Sequence, residues 1–129
     1  MKKILSEKEL HKQICNYIKL QYPNVLFNTD MSGLKLTLGQ AVQAKKLRSC
    51  NGFPDIVIYE HRLHDTYYGA LFLEVKKESP YKKDSNELKK SEHVEIQDKL
   101  HIDLRLKGYY VEFVWTFEMA KNIIDKYLK

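Results

Sequence analysis

Residues 52–76 read GFPDIVIYEHRLHDTYYGALFLEVK, and the fold turns on how this stretch is parsed. Its apolar residues fall into two groups, Ile56, Val57, Ile58 and Tyr59 in the first and Leu71, Phe72, Leu73 and Val75 in the second. Both groups are rich in β-branched and aromatic side chains and a polar turn separates them, so both are expected to be strands. A period of two puts Phe72, Glu74 and Lys76 on one face and Leu71, Leu73 and Val75 on the other. A carboxylate and an ammonium thereby share one side of a buried sheet.

Gly52 and Pro54 bend the chain before Asp55, which places this acid at the mouth of the first strand, where its side chain can turn toward Glu74. Two converging carboxylates repel each other unless a cation lies between them. Mg²⁺ suits the position, because it takes a few carboxylate oxygens, keeps several waters and leaves room for a phosphate oxygen. Lys76 is then placed to orient or deprotonate a metal-bound water, or to neutralise charge in a phosphoryl transition state. Taken singly, an Asp after Pro is a common turn residue and charges on a strand commonly mark a solvated edge. The whole pattern, with its hairpin-length gap, is far more specific.

Gly52-Phe53-Pro54-Asp55 followed by Glu74-Val75-Lys76 resembles the motif of the PD-(D/E)xK nuclease superfamily, most nearly its VRR-NUC branch. The resemblance runs from about Ser6 to Leu128 and is weakest between Asp30 and Ser49. It implies an α/β protein with a restriction-endonuclease-like αβββαβ core, a mixed central sheet flanked by helices. It also implies Mg²⁺- or Mn²⁺-dependent hydrolysis of DNA phosphodiesters, with Asp55, Glu74 and the Val75 backbone carbonyl holding the metal and Lys76 positioning the water. Two further marks of the family are an acid in the first helix, near the metal directly or through water, and a Gln in the helix after Glu-x-Lys. Stand-alone proteins that this chain resembles are junction-cutting dimers, so a homodimer acting on branched DNA is expected.

With 129 residues, 43% hydrophobic and 12% aromatic, the chain is long enough for one domain with a core and too short for two, so residues 1–129 are expected to form a single domain. A formal charge of +5 and a pI near 9.1 favour a polyanionic partner. Cys15 and Cys50 form neither a disulfide framework nor a zinc motif. No apolar stretch approaches membrane-spanning length, and a cytoplasmic, bacterial or phage-encoded protein is the expectation.

Ser6 and Glu9 make a capping box, after which Leu10, Ile14, Tyr17, Ile18 and Tyr22 recur at helical spacing as far as Pro23. At 100° per residue, Glu7 shares the side of Leu10, Ile14 and Ile18, whereas Glu9 lies opposite. Capping accounts for Glu9. Glu7 is therefore the match to the family's first-helix acid, although first-turn acids also favour the helix dipole. His11 shares that face, as a substrate contact or as a packed or exposed side chain.

Residues 25–29, VLFNT, read as a short strand and 30–37 as a loop hinged at Gly33. The segment 38–49 is helix-competent and ends in Lys45, Lys46 and Arg48, cations that suit a helix C-terminus and also lie just ahead of the proposed metal site. Residues 77–92 read as a mobile loop, either merely solvated or a flap whose Lys77, Lys82, Lys83, Lys89 and Lys90 follow a phosphate backbone, with Tyr81 available to stack on a base. A helix over about 92–107 then carries Val94, Leu100, His101 and Leu104 on one side and stops at Gly108. Gln97 lies within that side, where its amide needs partners, and it is the residue that matches the family's Gln. Tyr109–Trp115 alternate as a strand, with Trp115 read as core, and an amphipathic helix ends the chain. A nucleic-acid-binding protein of the same fold without catalysis is the alternative function.

Overall fold

The computed structural model describes residues 5–30, 37–63 and 65–129, so the loop hinge at Gly33 lies outside the described residues. In chain order the first elements are helix α1 (Glu7–Gln21), strand β1 (Phe27–Thr29), helix α2 (Leu38–Leu47) and strands β2 (Ile56–Ile58), β3 (Arg62–Leu63), β4 (Tyr67–Tyr68) and β5 (Leu71–Val75). Helix α3 (Glu92–Leu106), strand β6 (Tyr110–Val114) and helix α4 (Phe117–Leu128) complete it.

The main sheet has the order β1-β2-β5-β6. β1 and β5 each flank β2 antiparallel, whereas β6 runs parallel to β5. A parallel neighbour needs a crossover, and α3 supplies it. The result is the α/β arrangement that the resemblance implied: a mixed sheet with helices on its faces.

Alternation along β5 separates the two faces. Leu71, Leu73 and Val75 join Ile56, Ile58 and Val114 in a core closed by Leu10, Ile14 and Ile18 of α1 and by Ala120, Ile124 and Tyr127 of α4. On the opposite face α3 buries Val94, Gln97, His101 and Leu104. Glu74 stands beside Phe113 of β6 there, and the His101 ring lies 4.6 Å from that of Phe113. One layer is apolar throughout, and the other has polar groups sealed into it.

Local signals account for the helices. Ser6 Oγ accepts from Glu9 N at 3.1 Å, while the Glu9 carboxylate accepts from Ser6 N, so two donors at the start of α1 are satisfied reciprocally. α3 gives way at Gly108, whose φ of +93° is open to glycine. α2 is also capped, by Thr37 and Gln40, but none of its residues is buried.

The structure departs from the sequence expectations in several places. The turn between β2 and β5 holds the small antiparallel ribbon β3–β4, pinned by Tyr127 Oη donating to Glu60 O at 2.6 Å and by Tyr68 packing edge-on against Tyr110. Residues 77–92 do not read as a free loop: Lys82 N donates to Glu87 O at 2.7 Å and Lys89 N to Pro80 O at 2.8 Å. Tyr81, a candidate for stacking on a base in the flap reading, sits against Phe113 and Trp115. Trp115 is half-buried rather than core, because the sheet ends at Val114. Among the described residues no helix is long and apolar enough to cross a membrane.

Candidate functional site

The register of β2 against β5 pairs Ile56 with Leu73, so one step beyond the ladder Asp55 comes opposite Glu74. Asp55 is held from both sides. Its carbonyl accepts from Asp30 N at 2.7 Å, and its Oδ2 accepts from Val75 N at 2.7 Å. The N–H and C=O of one strand residue point the same way, so the Val75 carbonyl leaves β5 on the edge that faces Asp55.

The approach to Asp55 depends on Gly52. Its φ is +94°, and a Cβ there would lie 3.1 Å from Ile96 Cγ2 and 3.2 Å from Ile96 O. The loop therefore lies directly on α3, which brings Asp55 and Gln97 to one place.

Glu74 is only 2% exposed, and its Oε1 has no hydrogen-bond partner among the described residues. Burial pushes its carboxyl far above the ordinary range; Asp55 adds to the rise and Lys76 opposes it. Glu74 Oε1 approaches His101 Nε2 at 3.5 Å, which on distance alone resembles an ion pair. Burial, with Arg105 and Lys76, lowers the fully enclosed His101 to about 4. Both groups are pushed toward their neutral forms. Both shifts weigh against a full ion pair at this contact, and both ring nitrogens of His101 lack hydrogen-bond partners among the described residues.

Lys76 extends along the same face, with Nζ 6.0 Å from the centre of the Phe113 ring, and its backbone N donates to Val114 O at 2.8 Å. Gln97, 5% exposed, places Nε2 3.2 Å from His93 Nε2, and its Oε1 has no partner among the described residues. Glu7 is exposed and accepts from Lys77 N at 3.3 Å, while Glu9 is spent on the cap. Glu7, Asp55, Glu74, Val75, Lys76 and Gln97 together line one cleft of about 490 Å³.

The basic residues divide. Lys45 and Arg48 line the cleft, but Arg48 is bound to Asp30 at 3.3 Å. Lys46 is exposed on α2 and does not line it. Lys82, Lys83 and Lys89 border a separate hollow beside Trp115, and Lys82 and Lys89 meet Glu87 and Glu78 at 3.3 and 4.0 Å. Lys77 and Lys90 are exposed, and His11 lines a groove next to the cleft.

Two histidines of the site were given no role in it from the sequence, which placed His101 on the packed side of the helix. His93, Gln97 and His101 are spaced four apart on α3, and one stripe of that helix therefore carries all three to the Glu74 side. That spacing was the available signal. A histidine among apolar neighbours otherwise reads as packing.

Among the described residues no group of three or more His, Cys, Asp or Glu side chains is arranged to hold a metal. The converging donors are the Asp55 and Glu74 carboxylates, with the Val75 carbonyl on the same edge and Glu7 at the rim. So sparse a set of oxygens fits Mg²⁺, which binds through one or two carboxylates and completes its shell with water and phosphate. It does not fit zinc, which takes three or four protein ligands. The buried, unpartnered Glu74 oxygen is the kind of group that a cation would satisfy.

No family model matches the sequence, and no curated protein matches it. A solved structure described as a VRR_NUC domain protein superposes with a TM-score of 0.67, covering 98% of this chain and 90% of that one at 19% identity. The two share a fold, the one that the residues around Asp55 and Glu74 led us to expect.

Proposed function

We propose that this protein is a divalent-metal-dependent nuclease that hydrolyses DNA phosphodiester bonds in the cleft around Asp55 and Glu74. The observation that carries the reading is Glu74: a carboxylate sealed in the sheet, opposite Asp55 and beside Lys76, with an oxygen that no described residue satisfies. A fold shared with a VRR_NUC domain protein supports it.

Asp55, Glu74 and the Val75 carbonyl would hold Mg²⁺ or Mn²⁺, with Glu7 contributing directly or through water. Such an ion, when bound, supplies positive charge to the scissile phosphate and acidifies a water. Lys76 would orient the attacking water and offset charge that develops on the phosphate. Gln97 offers its amide to the same water or to a phosphate oxygen, and His93 fixes that amide's position. Lys45 at the rim and His11 beside it would meet the flanking backbone, together with Lys46, Lys77, Lys83 and Lys90; Arg48, Lys82 and Lys89 would first have to leave their acidic partners.

One metal site cuts one strand, so symmetric cutting of a junction requires two copies about a two-fold axis. A homodimer selective for branched DNA is the form of the proposal that we favour. Incubation of four-way junctions, flaps and linear duplexes with Mg²⁺, Mn²⁺ or EDTA, with light scattering on the same sample, tests both parts. Paired incisions by a dimer are expected. A monomer that trims flaps and leaves junctions whole would remove the dimer and keep the nuclease.

The second reading is a nucleic-acid binder without catalysis, to which the formal charge of +5 and the exposed lysines are equally suited. Binding of the same substrates without cleavage in any metal would select it.

A further inference from the structure

A groove of about 500 Å³ runs between α1 and the β1 edge of the sheet, and it shares Glu7, Asp30, Asp55 and Val75 with the cleft. The two hollows are therefore continuous across Asp55. From the α1 side the groove is lined by Lys8, Lys12 and Lys19, and from the sheet side by the half-buried Phe27.

At 100° per residue the three lysines fall within a stripe about 40° wide, and at 1.5 Å per residue they extend over about 16 Å. Among the described residues none of the three has a carboxylate partner, in contrast to Lys82 and Lys89. Lys19, in the last turn of α1, also suits the helix dipole; Lys8, in the first turn, opposes it. Glu7, Asp30 and Asp55 confine the groove's negative charge to the end it shares with the cleft, and the row of lysines along α1 beside the Phe27 ring combines the two features that hold unpaired nucleic acid, charge along the backbone and a ring for a base.

We infer that the α1–β1 groove binds a single-stranded segment of nucleic acid and leads it to Asp55, with Lys8, Lys12 and Lys19 on successive phosphates and Phe27 beneath a base. The direction toward Asp55 rests on the nuclease reading; the binding itself does not. A branched substrate supplies such a segment at its fork, which gives the groove a part in selecting substrates.

The test uses fluorescence anisotropy in EDTA, with a labelled oligothymidylate and a blunt duplex of equal length, over a series of salt concentrations. The wild type should bind the single strand more tightly than the duplex. The triple variant K8Q/K12Q/K19Q should lose about tenfold or more in single-strand affinity, and its slope of log K against log salt should fall by about 2, since each phosphate contact on a single strand contributes about 0.7. Phe27→Leu, which keeps the packing, should weaken binding several-fold without changing the slope. An unchanged slope and affinity in the triple variant, with its melting temperature intact, would overturn the inference. Equal losses for duplex and single strand would overturn it as well, because the groove would then follow paired DNA. If the wild type cuts nothing and the triple variant still loses single-strand binding, the groove stands and the nuclease reading fails.

Discussion

Glu74 is the residue on which the chemistry depends, and its burial has a consequence for stability. Its proton affinity is raised by folding, so above the ordinary carboxylate range the folded chain holds a proton that the unfolded chain has released. Stability from this group is complete at low pH and is lost as pH rises. In EDTA, the melting temperature of the wild type should therefore fall between about pH 5 and about pH 9 more steeply than that of Glu74→Gln. Mg²⁺ at about pH 8 should raise the wild type and leave the variant unmoved, because only an ionised carboxylate gains from the ion. Parallel pH profiles would contradict the environment assigned to Glu74. Gly52 makes a second prediction at this scale: Gly52→Ala should cost about 1–3 kcal/mol in chemical denaturation, from positive φ and from the contact with Ile96. The facing of Asp55 and Glu74 was legible in the residues, since a two-residue period and a Gly-x-Pro bend are local. The approach of Glu74 to His101 was not, because it joins a strand to a helix 27 residues further on.

At the scale of elements, α1 separates chemistry from folding within its first turn. Glu7→Gln should lower cleavage by about 10–100-fold at unchanged stability, as expected for a group that orients a metal site from its rim. Glu9→Ala should instead cost about 0.5–1 kcal/mol of stability and leave cleavage intact, because it opens the capping box. Thermal melts and a cleavage time course on both variants check this, and the reverse assignment would show that the wrong acid was chosen. The contact of α1 with α4 adds to its apolar packing a polar tie at Asp125, whose Oδ1 accepts from both Tyr17 Oη and Tyr22 Oη at 2.6 Å. Burial alone would raise this carboxyl, but the phenols and Lys121 hold it down to about 2. Asp125→Ala should lose about 1–2 kcal/mol by denaturant titration, a figure discounted for solvent at a group that is only partly enclosed. This staple left no trace in the sequence. The ribbon β3–β4 was equally hidden, since strands of two residues are too short for a periodicity and are held by Tyr127 and Tyr110 from far along the chain. α2 was legible from its composition although it buries nothing, because its own caps and helix-forming residues suffice to define it.

For the whole molecule, the fold was legible because each half of the pattern 52–76 demanded a strand and the acids had to meet where the strands end. The arrangement of charge was less so. Lysines in 77–92 stood out as a run, yet the structure turns that segment back on itself and pairs Lys82 and Lys89 with acids, while the row of lysines on α1 was hidden inside an amphipathic pattern. The most direct measurement is cleavage of a branched DNA substrate by wild type, Glu74→Gln and Lys76→Ala, in Mg²⁺, in Mn²⁺ and in EDTA, with each protein shown to be folded by its thermal melt. The account predicts cutting by the wild type in at least one of the two metals and none in EDTA, with both variants reduced by about a hundredfold or more. A wild type inert in both metals, or a Glu74→Gln protein as active as the wild type, would contradict it.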